Sequence, residues 1–507
     1  MSLSKIALFS AFSLAAATEY IVAPAELTPS EYHPWAHSHW VWVHRDDSNQ
    51  QNTTDLVDGY TSRNIPVGAV DLDSEWATEF NNFEVRTDKF PDFPGLVSEL
   101  HAENVRVILW VTSMVNVENP DYDMCVENQY LVRNGEGVVR PLKWWHGSGG
   151  LLDYSNPAAV EWWHSTIDRV LDVGVDGFKC DGTDPYILEY QLATGALGYN
   201  DQPLTYTQYS EFYYGDFFNY TRAKRGKEGL IMSRPIDCAD SADVGCIPMS
   251  PKYVMYSGWM GDDDASFQGL RSCARKVIYA AHDGYMNFGC DIGGYRGIDV
   301  SQKELFLRWS QLGAFLPLME NGGGGEHRPW MYDEETVDIY RQYVLEHYKL
   351  IPYMLTTGNP LHHPEPTTFS YLLGLDILVH PVVTSKGSMG DDDTSISTTG
   401  VSTEGLDTSM NHVRMTFPDD TDTDTVTEWL DYFHPKEELY LTVRWPYQTM
   451  LYMSAVELWC PYNPLDPLNR QNWIMIMQLL RLYLLGMLPN HPLQLILLLP
   501  LLQLLLK

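Results

Sequence analysis

The chain has 507 residues, of which 44% are hydrophobic and 13% are aromatic, with 16 Trp and 31 Tyr. This composition supplies a large core and excludes an intrinsically disordered protein, which is poor in such residues. The formal net charge of −34 excludes nucleic acid and an anionic membrane surface as partners. We therefore expect a globular protein with one large domain and a smaller one.

The amino-terminal sequence is typical of an export signal. A basic residue precedes an apolar stretch at 6–17, which is too short to span a bilayer and ends in small residues that suit cleavage. Glycosylation sequons begin at Asn52 and Asn219, which is compatible with a secretory pathway. The sequence therefore predicts a signal peptide at 1–17, a secreted protein, and an entry segment at 18–59.

Residues 60–358 alternate short apolar strands with longer helical stretches, which is the pattern of a parallel α/β fold. The predicted strands lie at 65–73, 105–111, 151–153, 175–181, 229–234, a stretch ending at 259–262, 285–292 and 316–320. The predicted helices lie at 93–103, 157–173, about 205–225, 267–281, 302–315 and 334–355. Eight repeats of this kind predict a TIM (β/α)8 barrel.

Seven side chains share one position in this pattern, at the carboxyl end of a predicted strand. They are Asp73, Trp110, Asp153, Asp181, Asp262, Asp291 and Glu320. In a TIM barrel these ends converge on one mouth, where active sites are built. A single acidic residue there often caps a helix instead, but six on one rim repel each other and are costly without a function. The sequence therefore predicts an active site at this mouth.

Several longer motifs lie on these strands or follow them in the chain. They are Gly-Phe-Lys-Cys-Asp-Gly-Thr-Asp at 177–184, Trp-Met-Gly-Asp at 259–262, Cys-Asp-Ile-Gly-Gly at 290–294, Arg-Trp-Ser-Gln-Leu-Gly-Ala-Phe at 308–315 and an apolar stretch at 371–382. In this order they resemble glycoside hydrolase family 31, the α-glucosidase and α-xylosidase family. The resemblance implies a retaining α-glycosidase acting on an oligosaccharide or glycoside, with Asp181 as nucleophile and Asp262 as acid/base.

Glycoside hydrolysis needs two carboxyl groups for a physical reason. An oxocarbenium-like transition state requires a negative neighbour on one face of the sugar and a proton for the departing oxygen, and retaining enzymes place the two carboxyl groups roughly 5–5.5 Å apart. Lys179 lies two residues before Asp181 on the same strand face, and we expect its charge to keep that carboxyl ionised. We interpret Asp263 and Asp264, which follow Asp262, as a solvated loop.

The resemblance also implies a set of substrate-binding residues. They are Asp73, Trp110, Trp145, Lys179, Arg234, Asp291 and His327. Asp73 is expected to bind sugar hydroxyls, the two tryptophans to stack on sugar rings, and Arg234 to steer the acid/base. No metal and no cofactor are predicted, because the histidines at 33, 37, 39 and 44 fit neither a strand face nor a zinc-binding helix and favour a polar entry segment.

The chain departs from the family pattern in its loops and at its ends. The stretch Glu-Asn-Gly-Gly-Gly-Gly-Glu-His-Arg-Pro-Trp at 320–330 leaves glucose, xylose, galactose and sulfated or aminated hexoses open as the sugar. Residues 359–440 predict a partial β-domain, so the expected fold is a TIM barrel with a truncated or atypical carboxyl-terminal β-domain. Residues 441–507 are an atypical apolar tail, for which an intron or frame error is favoured over a membrane tail.

Two other functions stay open. An α-galactosidase of a related barrel family also carries a Lys-x-Asp nucleophile strand, and a catalytically inactive homologue would bind sugars without cleaving them. The oligomeric state is open as well. Seven cysteines without metal-type spacing exclude a disulfide scaffold. Cys238 and Cys246 are spaced to close one loop, and Cys180 in a core strand is predicted to be a buried thiol.

Overall fold

The computed structural model describes residues 32–44, 47–182, 195–238, 246–297, 300–357, 361–362, 369–374, 377–379 and 381–385. The predicted signal peptide at 1–17 and the predicted tail at 441–507 lie outside these residues. Most of the predicted β-domain at 359–440 also lies outside them. The fold and the site are therefore described between residues 32 and 385.

The predicted helices are confirmed to within two residues at each end. In the described residues the α-helices are α1 (Gln50–Thr61), α2 (Phe93–Ala102), α3 (Tyr122–Glu127), α4 (Pro157–Leu171), α5 (Tyr206–Arg225), α6 (Phe267–His282), α7 (Lys303–Ala314) and α8 (Glu334–Thr357). Six of them begin after a side chain that accepts a backbone N–H of the first turn, which satisfies a donor left free by helix geometry, and α8 has Asp333 in this role. The other five caps are Asn49, Asp92, Asn156, Thr205 and Ser266.

Most strands are short. They are β1 (His39–Val43), β2 (Ala69–Leu72), β3 (Arg106–Val111), β4 (Met114–Asn116), β5 (Arg133–Asn134), β6 (Leu142–Trp144), β7 (Gly147–Leu151), β8 (Gly177–Cys180), β9 (Ala196–Leu197), β10 (Pro203–Leu204), β11 (Leu230–Ser233), β12 (Ile236–Asp237), β13 (Ile247–Pro248), β14 (Ser257–Gly258), β15 (Met319–Asn321), β16 (Leu361–His362), β17 (Tyr371–Leu373) and β18 (Ile377–Val379). Seven of them form one parallel sheet in the order β14-β11-β8-β3-β2-β1-β15. The last three form a small antiparallel sheet.

The parallel sheet curls and is closed by the segment at 289–291, which precedes α7 in the chain. Gly289 pairs with Trp259 and Asp291 pairs with Glu320, both in parallel. The backbone N–H of Gly289 also donates to the carbonyl of Gly258 at 2.8 Å. This segment occupies the eighth position of the barrel, between β14 and β15, which confirms the predicted TIM-barrel fold.

The first barrel strand lies earlier than predicted. β1 is fully buried and pairs in parallel with β2 and β15, although it falls within the predicted entry segment at 18–59. Two of the four histidines that made this stretch look polar, His37 and His39, are buried inside the protein. His37 and His39 form hydrogen bonds of 2.7 Å with the backbone carbonyls of Pro317 and Pro66. Burial lowers the pKa of His37 to about 4, so this imidazole is neutral and belongs to the core.

The predicted third strand at 151–153 is not part of the barrel. β7 pairs in antiparallel fashion with β4 and β6, in a separate three-stranded sheet. Asp153, which follows β7, accepts hydrogen bonds from the hydroxyl and backbone N–H of Ser155 at 2.5 and 3.0 Å. The prediction that Asp153 belongs to the barrel rim is therefore wrong, because its carboxylate stabilises a local turn.

Aromatic side chains join the barrel to its outer helices. Trp163 of α4 is fully buried, and its ring lies edge-on to Phe83 at 5.2 Å and to Phe217 at 6.3 Å between centroids. Phe178 of β8 contacts both of these phenylalanines. The strand that precedes Asp181 is thus held against α4 and α5 by interlocking rings.

Replacement of Trp163 by alanine is expected to lower the free energy of unfolding by about 3–5 kcal/mol, because it removes a buried ring and leaves a cavity. Urea unfolding followed by far-UV circular dichroism measures this change. Trp162→Ala is the matched control, since the neighbouring ring is only partly buried. An equal or larger loss for Trp162→Ala would contradict the packing described above.

Candidate active site

Asp181 lies directly after β8, at the carboxyl end of the barrel. Its backbone N–H donates to the carbonyl of Val111 at 2.9 Å, which continues the register of β8 with β3. Its Oδ2 accepts a hydrogen bond from the indole of Trp110 at 3.3 Å, and its Oδ1 accepts one from the backbone N–H of Gly182 at 2.8 Å. These donors orient a carboxylate that is 16% exposed at the mouth.

Arg234 lies directly after β11 and joins the two predicted catalytic residues. Its Nη2 contacts Oδ1 of Asp181 at 3.1 Å and Oδ1 of Asp262 at 3.5 Å. The guanidinium lies over the ring of Trp259, 4.9 Å from the ring centroid. Because one nitrogen contacts both oxygens, the two oxygens lie at most about 6.6 Å apart.

Gly261 permits this arrangement. Its φ of +79° lies in the left-handed region, which favours glycine. A Cβ at this position would lie 2.4 Å from Nη1 of Arg234, so a larger residue would displace the guanidinium. The next residue, Asp262, is 31% exposed, and its backbone carbonyl accepts a hydrogen bond from Arg296 Nη1 at 3.1 Å.

Lys179 does not pair with Asp181 as the sequence had indicated. Its side chain points into the barrel, is 4% exposed, and forms ion pairs of 3.4 Å with Asp71 and with Glu320. Its Nζ also lies 3.9 Å from the ring centroid of Trp42. The cation that contacts Asp181 is Arg234, and Lys179 neutralises carboxylates beneath the mouth.

Buried carboxyl groups surround Lys179. Burial raises the pKa of Asp71 to about 7, although Lys179 opposes the shift. Burial also raises the pKa of Asp73, which directly follows β2, and the charge of Lys179 again opposes this shift. The pKa of Asp291 is raised well above its usual range by burial and then by Glu320, its partner across the barrel seam. Several buried carboxyl groups therefore lie around Lys179 beneath the mouth of the barrel.

Trp145 and His327 lie on different sides of the mouth. Trp145 is 45% exposed, and a Cβ added at Gly182 would lie 3.2 Å from its ring, so the indole stands beside the residue that follows Asp181. His327 is buried, and its Nδ1 forms a hydrogen bond of 2.7 Å with the carbonyl of Ile292. Burial lowers the pKa of His327 to about 4 and keeps the imidazole neutral.

The glycine run after β15 packs tightly. A Cβ on Gly322 would overlap the ring of Trp42, and a Cβ on Gly323 would lie 2.4 Å from Nε2 of His327. The backbone therefore approaches two side chains of the site, which only residues without a side chain allow. The ring of Trp42 also stacks on Tyr295, with centroids 5.7 Å apart.

Several residues at the site had not been predicted. Trp42 was missed because β1 was not recognised as a strand. Asp71 had a signal in the sequence, since it lies two residues before Asp73 and therefore on the same face of β2. Asp263 is not in a solvated loop, because its side chain is 6% exposed and pairs with Lys276 at 2.9 Å.

Among the described residues, no group of three or more His, Cys, Asp and Glu side chains is arranged to hold a metal ion. No helix in the described ranges combines the length and the apolar character needed to cross a membrane.

Cys238 and Cys246 form the predicted disulfide, and Cys180 is a buried free thiol as predicted. The candidate site therefore contains two carboxylates, those of Asp181 and Asp262, in contact with the guanidinium of Arg234, and the exposed ring of Trp145 lies beside Gly182.

Known proteins share this barrel. The family model described as the TIM-barrel domain of glycosyl hydrolases family 31 matches residues 31–357. The alpha-xylosidase of Emericella nidulans is 25% identical over 375 residues, which cover 70% of this chain and 46% of that protein. The human neutral alpha-glucosidase C is 26% identical over 385 residues, which cover 69% of this chain and 40% of that protein. The match spans less than half the length of each of these two relatives.

Solved structures agree with this match. A family 31 alpha-xylosidase from a soil metagenome, complexed with xylose, aligns with a TM-score of 0.60 at 18% identity, covering 71% of this chain and 60% of that one. The cycloalternan-degrading enzyme from Trueperella pyogenes, in complex with cycloalternan, also has a TM-score of 0.60 at 21% identity, covering 73% and 56%. At these identities the likeness shows the fold alone. Because the family model covers more than half of the sequence, the chain belongs to glycosyl hydrolase family 31.

Proposed function

We propose that this chain is a retaining α-glycosidase that hydrolyses terminal α-linked sugars through a covalent glycosyl-enzyme intermediate. The observation that carries the proposal is the contact of one nitrogen of Arg234 with the carboxylates of both Asp181 and Asp262. Two oxygens that share one nitrogen lie at most about 6.6 Å apart, which fits the roughly 5–5.5 Å of retaining enzymes and excludes nearly all of the range of about 6.5–9.5 Å in inverting ones. Membership of family 31 supports the same reaction class.

In the first step Asp181 attacks the anomeric carbon, and the bond between that carbon and the departing oxygen breaks. Asp262 gives its proton to the departing oxygen. In the second step the Asp262 carboxylate takes a proton from water, which attacks the anomeric carbon and releases Asp181. Trp110 and Gly182 hold the attacking carboxylate in one orientation. Arg234 contacts both carboxyl groups and so fixes their positions relative to each other.

The remaining residues are proposed to hold the sugar. Trp145 offers a half-exposed ring next to Gly182, which suits stacking on the apolar face of a pyranose. Asp73 is expected to accept hydroxyl donors close to Asp181. Trp110, Lys179, Arg234, Asp291 and His327 complete the proposed substrate-binding set. The neutral state of His327 makes it a hydrogen-bonding group rather than a cation.

A panel of 4-nitrophenyl α-glycosides tests this function and its rivals. Hydrolysis of the α-xyloside or the α-glucoside supports the proposal. Cleavage of the α-galactoside alone would favour the α-galactosidase alternative. A folded protein that binds these sugars by calorimetry but cleaves none would favour the inactive sugar-binding homologue.

Gly261→Ala is expected to lower kcat/KM by about 10²-fold, because the added methyl group displaces Arg234 from both carboxylates. Gly137→Ala is the matched control, since Gly137 has nearly the same φ of +80° but open space around the position of the missing Cβ. Both variants are expected to lose about 1 kcal/mol of stability from backbone strain. Equal activities of the two variants would contradict the role assigned to Arg234.

We also propose that the protein is secreted. The apolar stretch at 6–17 and the sequons at Asn52 and Asn219 support this proposal. A disulfide between Cys238 and Cys246 agrees with an oxidising compartment. Detection of the glycosylated chain in the culture medium of its source is the expected result, and a chain retained in the cytosol would contradict it.

A further inference from the structure

The residue that follows Asp262 points away from the mouth. The side chain of Asp262 is 31% exposed, whereas that of Asp263 is 6% exposed. Burial raises the pKa of Asp263, and the charge of Lys276 opposes that shift. A carboxylate in this position is costly unless a cation accompanies it.

Lys276 supplies that cation from helix α6. Its Nζ lies 2.9 Å from Oδ1 of Asp263, and its own side chain is 11% exposed. Ser266 caps the first turn of α6, so the helix has a fixed start close to the segment 262–265. The ion pair therefore joins a buried point on a rigid helix to the residue next to Asp262.

The backbone of the same segment is held from the other side. The backbone N–H of Arg296 donates to the carbonyl of Asp263 at 2.9 Å, and the guanidinium of Arg296 donates to the carbonyl of Asp262 at 3.1 Å. Gly261 precedes these residues with a φ of +79°, at a position where glycine rotates more freely than other residues. The direction of the Asp262 side chain thus depends on how the segment is anchored after this glycine.

We propose that Lys276 is a positioning residue for the acid/base: its ion pair with Asp263 fixes the peptide between Asp262 and Asp263 and so directs the Asp262 carboxyl toward the departing oxygen. This inference rests on the proposed role of Asp262. The alternative is that this buried ion pair only stabilises the packing of α6 against the barrel and has no part in catalysis.

The positioning role and the purely stabilising role of Lys276 predict different effects of the leaving group on the activity that a Lys276 variant loses. A good leaving group departs without a proton, so a displaced acid matters little for it, whereas a poor leaving group needs that proton. The ratio kcat/KM reports formation of the glycosyl-enzyme, which is the step that uses the acid. A merely destabilised enzyme loses the same fraction of activity on both kinds of substrate.

The test compares Lys276→Met with the unmutated enzyme on 2,4-dinitrophenyl and 4-methoxyphenyl α-glycosides of one sugar. We expect kcat/KM to fall about 10²-fold for the methoxyphenyl glycoside and less than about threefold for the dinitrophenyl glycoside. Asp263→Asn keeps an oxygen acceptor for Lys276 without the buried negative charge. If Lys276→Met does not fold, Asp263→Asn replaces it, with an expected loss of about tenfold on the methoxyphenyl glycoside alone.

Arg225→Met is the matched control. Arg225 pairs with the fully buried Asp176 at 3.2 Å, and Asp176 precedes β8 at the opposite end of the barrel. This variant removes a partner of a buried carboxylate far from the mouth and is expected to change kcat/KM equally for both glycosides. If Lys276→Met and Asp263→Asn also lose the same fraction of activity on both glycosides, as the control does, the inference is overturned.

The outcomes separate this inference from the function on which it rests. If Asp262→Ala shows the leaving-group dependence and Lys276→Met does not, only the positioning role of Lys276 is wrong. If Asp262→Ala itself loses activity equally on both glycosides, Asp262 is not the acid and both conclusions are wrong. An unmutated protein that cleaves neither glycoside overturns the proposed function, and the positioning role with it.

Discussion

Asp181→Ala is expected to lower kcat by roughly 10⁴-fold or more, because the variant has no group to form the covalent intermediate. Added azide is expected to restore turnover. The small anion enters the space left by the carboxylate and attacks the anomeric carbon directly, so the product is a β-glycosyl azide of inverted configuration. NMR of the azide product measures this outcome.

The control for this experiment is Asp264→Ala, because the Asp264 side chain is 70% exposed in the same barrel rim and its ion pair with the exposed Arg296 is as long as 3.8 Å. This variant is expected to retain nearly full activity and to gain nothing from azide. A retained azide product from Asp181→Ala would mean that the roles of Asp181 and Asp262 are reversed. Unchanged activity of Asp181→Ala would remove this residue from the mechanism.

Asp262→Ala is expected to separate the two steps of the reaction. Substrates with poor leaving groups should lose about 10²–10⁴-fold in kcat/KM, since they depend on the proton that Asp262 supplies. Substrates with good leaving groups should still form the glycosyl-enzyme and then stall, which appears as a burst of product followed by slow turnover.

Azide is expected to relieve this stall with the opposite stereochemistry. It attacks the glycosyl-enzyme without help from a general base, so the product is an α-glycosyl azide of retained configuration. The same Asp264→Ala control applies. An inverted azide from Asp262→Ala, or a loss of activity that is independent of the leaving group, would contradict the role assigned to Asp262.

The helices and most barrel strands were predictable because each carries its own local signal. Capping residues such as Asn156 and Ser266 stand directly before periodic apolar runs, and the apolar stretch that ends at Asp181 has the length of a buried strand. The grouping of Asp181 and Asp262 was predictable for a related reason, whereas Arg234 was expected from the family resemblance alone. Both aspartates follow a barrel strand, and the carboxyl ends of parallel strands converge.

The errors concern properties that depend on distant residues. β1 was missed because His39 and the nearby His37 look polar, and the partners that suit them to a core, among them the carbonyls of Pro66 and Pro317, lie elsewhere in the sequence. β7 was misplaced because a strand sequence does not reveal whether its partners run parallel or antiparallel.

The pairing of charges was equally hidden from the sequence. Lys179 lies two residues before Asp181, yet the partners of Lys179 are Asp71 on β2 and Glu320 on β15. Asp263 looked solvated because it lies among acidic residues, and its cation lies on a helix that follows it. Which charges meet across a barrel is decided by strand register and helix packing, which local sequence does not fix.

The configuration of the first product tests the central claim most directly. The unmutated enzyme is incubated with a 4-nitrophenyl α-glycoside that it cleaves, and the anomeric protons of the released sugar are followed by NMR before mutarotation proceeds. Two displacements at the anomeric carbon, by Asp181 and then by water, predict that the α-anomer appears first and the β-anomer grows in later. Initial release of the β-anomer would contradict the retaining mechanism and the assignment of Asp181 as its nucleophile.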